Sequence, residues 1–205
     1  MQILVIRHGQ SQADLEDRHE GRADFPLTDL GMEQAQLLAR WVKGSYPPEL
    51  ILTSPLQRAH TTAAILSEAT GAPVCLEPDL MEWNNGLLAG LPRKEAKERF
   101  PLPPGGRRPH DTCAQTESLI EFRARAETFW SRFNHEYILP ARHGRIALVS
   151  HGGMINQLYR CFLELPVLCS VYFATGDTGV HLWSVESGKR TVVFSNRLEH
   201  LNAFD

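Results

Sequence analysis

Two histidines follow apolar runs that are typical of buried strands. Residues 3–6 lead into Arg7 and His8, residues 146–149 lead towards His151, and a glycine comes directly after each histidine. In open α/β sheets, ligands bind beyond the carboxyl ends of the strands. We therefore expect the two imidazole rings to project into one crevice.

Two arginines indicate the charge of the ligand in that crevice. Arg7 precedes the first histidine, and Arg58 lies in the first turn of a helical pattern that follows a third apolar run, residues 50–52. Guanidinium groups match phosphate or carboxylate oxygens, and helix N-termini favour anions. No carboxylate pair or Cys-x-x-Cys pair at metal-ligand spacing accompanies these residues. The pattern therefore favours a phosphate site over a metal site, and no cofactor is expected.

The elements that position these residues alternate between strands and helices. Strands are predicted at residues 3–6, 50–52, 74–76 and 146–149, and two antiparallel strands at 179–185 and 191–195. Thr28 and Ser54 are predicted N-caps, with Pro55 at the first helical position and Gln57 completing a capping box. This alternation predicts an α/β fold, a three-layer α/β/α sandwich with a mostly parallel central sheet.

The region between the third and fourth of these strands is less regular. It contains a Pro- and Gly-rich stretch, residues 101–109, and then a helical pattern for which Thr116 is the predicted N-cap. The aromatic stripe of that helix, which includes Phe122 and Phe129, is predicted to be core. We expect residues 1–205 to form one domain in which residues 83–145, approximately, are a helical and loop cap insertion.

Composition narrows the class of protein. The chain has 205 residues, is 42% hydrophobic and 22% charged, and carries a formal net charge of -3. A nucleic-acid partner is not expected, because such binders are usually basic, and no apolar run reaches the ~18 residues of a membrane helix. The N-terminal segment is interpreted as a strand rather than a signal peptide. The four scattered cysteines then predict reduced thiols in a cytoplasmic protein.

Several motifs together carry a family resemblance. They are LVIRHGQS at residues 4–11, PLT at 26–28, SPLQRA at 54–59, LME at 80–82, ES at 117–118 and VSHGG at 149–153. Their order and intervals cover nearly the whole chain. In this respect the sequence resembles the histidine phosphatase superfamily, in its phosphoglycerate mutase-like branch.

The resemblance implies a role for each of five residues. His8 would be the nucleophile that becomes phosphohistidine, and Glu82 would donate a proton to the leaving alkoxide and later activate water. Arg7, Arg58 and His151 would hold the phosphate oxygens, with His151 as an imidazolium. Phosphoryl transfer needs mainly positioning and stabilisation of negative charge, which these groups supply.

The resemblance also implies a wider binding set. The expected phosphate- and substrate-binding residues are Arg7, Gln10, Ser11, Asp14, Gly21, Arg58, His151 and Gly152. Asp14 departs from the family, whose members usually carry Asn there, and a carboxylate beside a phosphate dianion weakens binding. In the cap, Trp83, Asn85, Leu87 and Arg107 are candidate determinants of specificity, and Arg108 is a further candidate contact.

The expected function is a metal-independent phosphatase of small phosphorylated metabolites. A phosphoglycerate mutase is the first alternative, but mutases typically follow the glutamate with Arg-His-Tyr-Gly, whereas Trp83-Asn84-Asn85-Gly86 follows it here. A catalytically weak binding or regulatory relative is the second alternative, and the complete set of five residues opposes it. The expected partner is a small phosphorylated metabolite, and a homodimer is left open.

Overall fold

The computed structural model describes residues 1–204 and has a single six-stranded sheet at its centre. The strands are β1 Gln2–Arg7, β2 Leu50–Thr53, β3 Val74–Leu76, β4 Arg145–Ser150, β5 Val180–Glu186 and β6 Lys189–Arg197. The helices are α1 Gln12–Leu15, α2 Asp29–Ser45, α3 Gln57–Thr70, α4 Arg93–Arg99, α5 Leu119–Phe133 and α6 Gly152–Phe162. Short 3-10 turns occur at Pro78–Leu80, Gly86–Leu88, Cys113–Gln115 and Glu199–Phe204, and a π-helical turn, Asn134–Ile138, extends α5.

The strand order, β3-β2-β4-β1-β5-β6, places the first and fourth strands side by side in the centre. β1 runs parallel to β4, with Arg7 opposite Ser150, and β4 runs parallel to β2. β5 and β6 are antiparallel. Because β1 and β4 are parallel and in register at their ends, the residues after them, His8 and His151, emerge at the same edge of the sheet.

Each face of the sheet is covered by a pair of helices, which makes three layers. Alternate β1 residues point to opposite faces, so that Ile3 packs with α5 and α6, whereas Leu4 packs with α2 and α3. Phe122 and Phe129 of α5 are buried in the first of these cores. The predicted α/β/α sandwich with a mostly parallel sheet is therefore confirmed. A capping role for residues 83–145 stays a prediction.

The helix starts were predicted with mixed success. Thr28 is the N-cap of α2, where its side chain accepts from Gly31 N, as predicted. The prediction for α3 was wrong, because this helix begins at Gln57 and its Leu56 N-cap makes no side-chain bond. Asp24, from the loop after α1, accepts the Gln57 backbone N–H instead, at 2.7 Å.

The predicted N-cap of α5 was also wrong. Ser118, not Thr116, caps this helix, and it forms a capping box with Glu121: Glu121 N donates to Ser118 Oγ (3.1 Å), and Ser118 N donates to Glu121 Oε2 (2.7 Å). A capping box satisfies two backbone donors at once, which favours the later start. In residues 1–204 no helix combines the length and the apolar character that crossing a bilayer requires.

Candidate active site

His8 lies at the end of β1, where its imidazole ring is almost fully buried. Its Nδ1 lies 2.7 Å from the Gly9 carbonyl oxygen. A carbonyl can only accept, so Nδ1 carries the hydrogen and Nε2 keeps its lone pair. Burial, and then the guanidinium groups of Arg58 and Arg7, hold the pKa of His8 well below its ordinary value. The ring is therefore neutral and presents Nε2 as a nucleophile.

Arg58 is fully buried and its guanidinium is fixed on three sides. It donates to the carbonyl oxygens of Gly21 (2.8 Å) and Ala23 (3.0 Å), and its Nε donates to His8 Nε2 at 3.3 Å. The loop after α1 thus anchors the arginine from one side while α3 carries it from the other. This arrangement places a positive charge directly beside the lone pair of His8.

His151 follows β4 and is fully buried beside the first histidine, with a distance of 5.0 Å between the ring centroids. Its Nε2 is hydrogen-bonded to Ser54 Oγ (2.8 Å), whereas its Nδ1 has no partner within residues 1–204. Burial first, and then Arg58, hold the pKa of His151 well below its ordinary value. Burial in a cationic site therefore disfavours the charged ring in the ligand-free protein, and the imidazolium expected with phosphate bound stays a prediction.

Arg7 approaches the site from the edge of β1 and is held by the segment before β5. It donates to the Thr175 carbonyl oxygen (2.9 Å) and is 3.1 Å from a carboxylate oxygen of Asp177 and 3.4 Å from one of Asp14. Burial raises the pKa of Asp177. The positive charge of Arg7 thus interacts with two carboxylates. Asp14 was predicted to lie near the phosphate, whereas Asp177 was not predicted to belong to the site.

Glu82 is held by backbone donors from two directions. Trp83 N donates to its Oε1 (2.7 Å), and Gly153 N, in the first turn of α6, donates to its Oε2 (2.8 Å). A Cβ at position 153 would collide with the carboxylate, so the glycine of the VSHGG motif is what permits this contact. Because Gly153 is two residues after His151, the carboxylate lies at the same edge of the sheet as the histidines.

Glu20 is a carboxylate in the site that the sequence did not predict. Its oxygens lie 3.3 Å from Arg58 Nε and 3.9 Å from His8 Nε2, and it accepts a hydrogen bond from Ser11 Oγ. Burial raises the pKa of Glu20, which Arg58 opposes. No periodicity marked this residue, since it lies in an irregular loop. Its one available signal was its position next to Gly21.

Three further residues of the predicted phosphate- and substrate-binding set, Ser11, Gly21 and Gln10, make contacts within the protein. Ser11 caps α1, and its N and Oγ both donate to Asp14 Oδ2 at 2.9 Å. Gly21 has a positive φ, and a Cβ there would lie 2.7 Å from the Trp83 carbonyl oxygen. The Gln10 side-chain oxygen accepts a hydrogen bond from the Thr28 hydroxyl (2.9 Å), at the start of α2.

The other predicted substrate-contacting residues are Gly152 and the candidate specificity residues of segment 83–108. A Cβ on Gly152 would lie 4.0 Å from Arg7 Nη1, so this position borders the arginine. The Arg107 guanidinium is 5.2 Å from the centre of the Trp83 ring and donates to the carbonyl oxygens of Asp111 and Glu117. Asn85 lies against Gly21, whereas Leu87 is 48% exposed and Arg108 pairs with Asp111 at the surface.

The structure thus brings most of the predicted residues together at one edge of the sheet. Two neutral histidines lie close to two arginines, and the Glu82 carboxylate is bonded to the backbone N–H of Gly153, two residues after the second histidine. A tetrahedral dianion fits this arrangement, because guanidinium and imidazole N–H groups can donate to its oxygens. A neutral ring nitrogen next to such an anion can attack it, and a protonated carboxyl group can release the leaving group.

Comparison with known proteins agrees with this chemistry. A model described as "Histidine phosphatase superfamily (branch 1)" matches residues 3–197. Glucosyl-3-phosphoglycerate phosphatase of Mycobacterium tuberculosis is 31% identical over 198 residues, which cover 91% of this chain and 85% of the relative. A Photorhabdus laumondii protein named "Probable phosphoglycerate mutase GpmB" is 34% identical over 174 residues, 81% of this chain and 76% of the relative. The crystal structure of the alpha-ribazole phosphatase from Shigella flexneri has a TM-score of 0.83 at 23% identity, covering 97% of each chain.

Proposed function

Because the chain belongs to the histidine phosphatase superfamily (branch 1), and is accordingly a phosphatase, we propose that it hydrolyses small phosphate monoesters through phosphorylation of His8 Nε2. The observation that carries this proposal is the protonation state of the His8 ring. Its Nδ1 hydrogen is committed to the Gly9 carbonyl oxygen, and its pKa is held low by burial. The nucleophilic nitrogen is therefore unprotonated at neutral pH without a separate base.

In the first step, the Arg58 Nε–H bond to His8 Nε2 is released, and the Nε2 lone pair forms a bond to phosphorus as the ester P–O bond breaks. The electrons of that bond leave on the alkoxide oxygen, which takes a proton from Glu82. Arg58 and Arg7 bind the equatorial oxygens, where negative charge is spread in the transition state. His151 Nδ1, which has no partner within the described part of the chain, is available as a further donor.

In the second step, a water molecule attacks the phosphohistidine. Glu82, now a carboxylate, accepts a proton from that water, the N–P bond breaks, and the electron pair returns to Nε2. Inorganic phosphate leaves, and both side chains regain their starting protonation states. The backbone donors from Trp83 and Gly153 hold the carboxylate in one place for both steps.

The substrate class follows from the family and from the relatives. These include a protein named glucosyl-3-phosphoglycerate phosphatase, so a phosphorylated metabolite of small size is the natural proposal for this chain. The absence of a metal requirement, a cytoplasmic location and a homodimer stay predictions. A catalytically weak binding relative is opposed by the presence of all five expected side chains in the site.

The decisive experiment is a phosphate-release screen over a panel of phosphorylated metabolites, with and without a chelator. Rapid-quench mass spectrometry of the best substrate should find an acid-labile phosphoryl group on His8. H8A should release no phosphate, whereas H60A, which changes an exposed histidine of α3, should match the parent. An adduct on another residue would overturn the mechanism, and loss of activity with chelator would overturn the metal-free claim.

A mutase is the second candidate, and the name of the 34%-identical relative favours testing it. The protein should be supplied with 3-phosphoglycerate in the presence and in the absence of a bisphosphate primer. We expect phosphate release to exceed isomerisation in both conditions. Isomerisation faster than phosphate release would reverse the order of the two candidates.

A further inference from the structure

A cavity of about 770 Å³ lies beside Glu82, between α6, the start of α5 and the segment that follows α6. Its volume is within the range of about 300–1,000 Å³ that is usual for small-molecule sites. Two of its lining residues, Trp83 and Gly153, are the residues whose backbone N–H groups hold the Glu82 carboxylate. The cavity therefore begins where the proton donor of the proposed mechanism is fixed.

The walls of this cavity are largely apolar and aromatic. Trp83 and Phe122 form one side, with 4.9 Å between their ring centroids, and Leu119 extends that side. Tyr172 lies on the opposite segment and is 71% exposed. Aromatic rings pair favourably with other rings in stacked or edge-to-face geometry. A planar ring on the ligand would match these walls better than a polyhydroxylated chain.

Two polar side chains that line the cavity each carry a buried atom with no hydrogen-bond partner among the described residues. Gln157 is only 4% exposed, yet its Oε1 has no hydrogen-bond partner in the part of the chain that the structure describes. The same holds for Arg160 Nε, one helical turn later, although Arg160 Nη2 donates to the Val171 carbonyl oxygen. A buried polar atom without a partner is costly, so a ligand group that pairs with it gains binding free energy.

We propose that this cavity binds the alcohol part of the substrate and selects phosphate esters whose alcohol carries an aromatic ring with a hydrogen-bond donor. The inference rests on the proposed function, because it requires the leaving oxygen to face Glu82. The alcohol then extends past Trp83 and Gly153 into the cavity. The ring packs against Trp83 and Tyr172, with the fully buried Phe122 behind Trp83. Its donor pairs with the Gln157 amide, whose oxygen is enclosed in the free protein and turns towards the ligand.

Three synthetic substrates separate these contributions: propyl phosphate, 2-phenylethyl phosphate and 2-(4-hydroxyphenyl)ethyl phosphate. All are esters of primary alcohols, so the leaving groups are chemically similar and differences report binding of the alcohol. We expect kcat/KM to rise by about tenfold from the propyl to the phenylethyl ester through burial of the ring. The ring hydroxyl should add a further factor of about three to ten through its hydrogen bond.

Two variants test which residues cause the preference for the aromatic ring and for its hydroxyl group. Q157L should abolish the advantage of the hydroxyl while leaving that of the ring. Y172A changes an exposed side chain, so folding should be retained, and it should lower kcat/KM for both aromatic esters by about threefold or more relative to the propyl ester. Q36L and L139A are the matched controls, since both change exposed residues that do not line this cavity. Neither should alter the order of the substrates.

The outcomes distinguish this inference from the proposed function. Equal kcat/KM for the three esters, or a preference that neither variant changes, would overturn the aromatic-alcohol site while phosphate release from propyl phosphate still supports the phosphatase. Failure to hydrolyse any ester, with no phosphohistidine formed, would overturn the phosphatase itself. Loss of the hydroxyl advantage in Q157L and of the ring advantage in Y172A, with neither change in Q36L or L139A, supports both.

Discussion

The Glu20 carboxylate lies 3.3 Å from Arg58 Nε, the same nitrogen that donates to His8 Nε2. In the free protein, a carboxylate therefore pairs with the guanidinium group that we propose binds a phosphate oxygen. Ser11 Oγ also donates to this carboxylate. The phosphoryl group must either displace Glu20 or bind while Glu20 is protonated, so this residue should govern how affinity changes with pH.

We predict that E20Q binds inorganic phosphate more tightly than the parent protein at pH 7.5, by about tenfold, because removing a negative charge beside a dianion is worth about one pKa unit or more. Burial raises the pKa of Glu20 against the opposing effect of Arg58, with Asp14 adding to the rise and Arg7 opposing it. As pH falls, Glu20 becomes neutral in the parent protein and the difference should shrink. The measurement is the inhibition constant of phosphate between pH 5 and 8.

E33Q serves as the control for that series, since Glu33 is an exposed carboxylate of α2. Its phosphate affinity should follow the parent at every pH. Weaker phosphate binding by E20Q than by the parent would show that Glu20 assists binding, and the displacement model would then be wrong.

Asp14 is another carboxylate near the proposed phosphate site. Its Oδ2 accepts from Ser11 N and Oγ, and its Oδ1 is 3.4 Å from Arg7 Nη2. D14N keeps an oxygen for the capping role and removes the charge. We expect kcat/KM to be unchanged or higher, which steady-state kinetics on the best substrate can measure. A large loss would reveal a positive role for the carboxylate.

Glu82 should matter most when the leaving alcohol is a poor leaving group. E82Q has one acceptor oxygen, so it can keep the hydrogen bond from Gly153 N but loses the one from Trp83 N. It also cannot supply a proton, and general acid catalysis is typically worth about 10²- to 10⁴-fold. We expect a loss of that size for propyl phosphate and a much smaller one for p-nitrophenyl phosphate, whose phenolate leaves unaided. Equal losses for the two esters would indicate that Glu82 acts by positioning alone.

His181 should make the protein less stable as pH falls. It is buried, and burial lowers its pKa from 6.5 to about 4. Asn196 N donates to its Nδ1 (3.0 Å), so protonating that nitrogen would break the bond. Below pH 6.5 the unfolded chain binds a proton at this histidine that the folded chain does not bind. The folded state therefore has its full stability above pH 6.5 and loses stability as the pH falls towards 4. The loss is at most about 3 kcal/mol, since one pKa unit is worth about 1.4 kcal/mol.

Denaturant unfolding at pH 7.5, 6.5, 5.5 and 4.5 measures this dependence. H181Q should be less stable at pH 7.5 but should show a shallower decline, whereas H60Q, at an exposed position of α3, should keep the slope of the parent. Identical slopes for H181Q and the parent would assign the pH dependence to other groups.

Much of this protein was determined by local sequence patterns. Apolar runs ending at His8 and His151 defined two strand ends, because buried parallel strands have continuous apolar sequences. Thr28 was recognisable as an N-cap because capping involves neighbours within three residues. The predicted α/β/α sandwich followed from the alternation of these elements, and the family resemblance followed from the order of the motifs.

Only the tertiary structure decided the electrostatics of the site. Glu20 reaches Arg58 across 38 positions of sequence, and Asp24 replaces the predicted cap of α3, so neither contact leaves a periodic trace. The neutrality of His151 depends on how deeply it is buried and on which cations surround it. Such properties arise from distances between remote parts of the chain, and sequence spacing carries no information about them until the fold has brought those parts together.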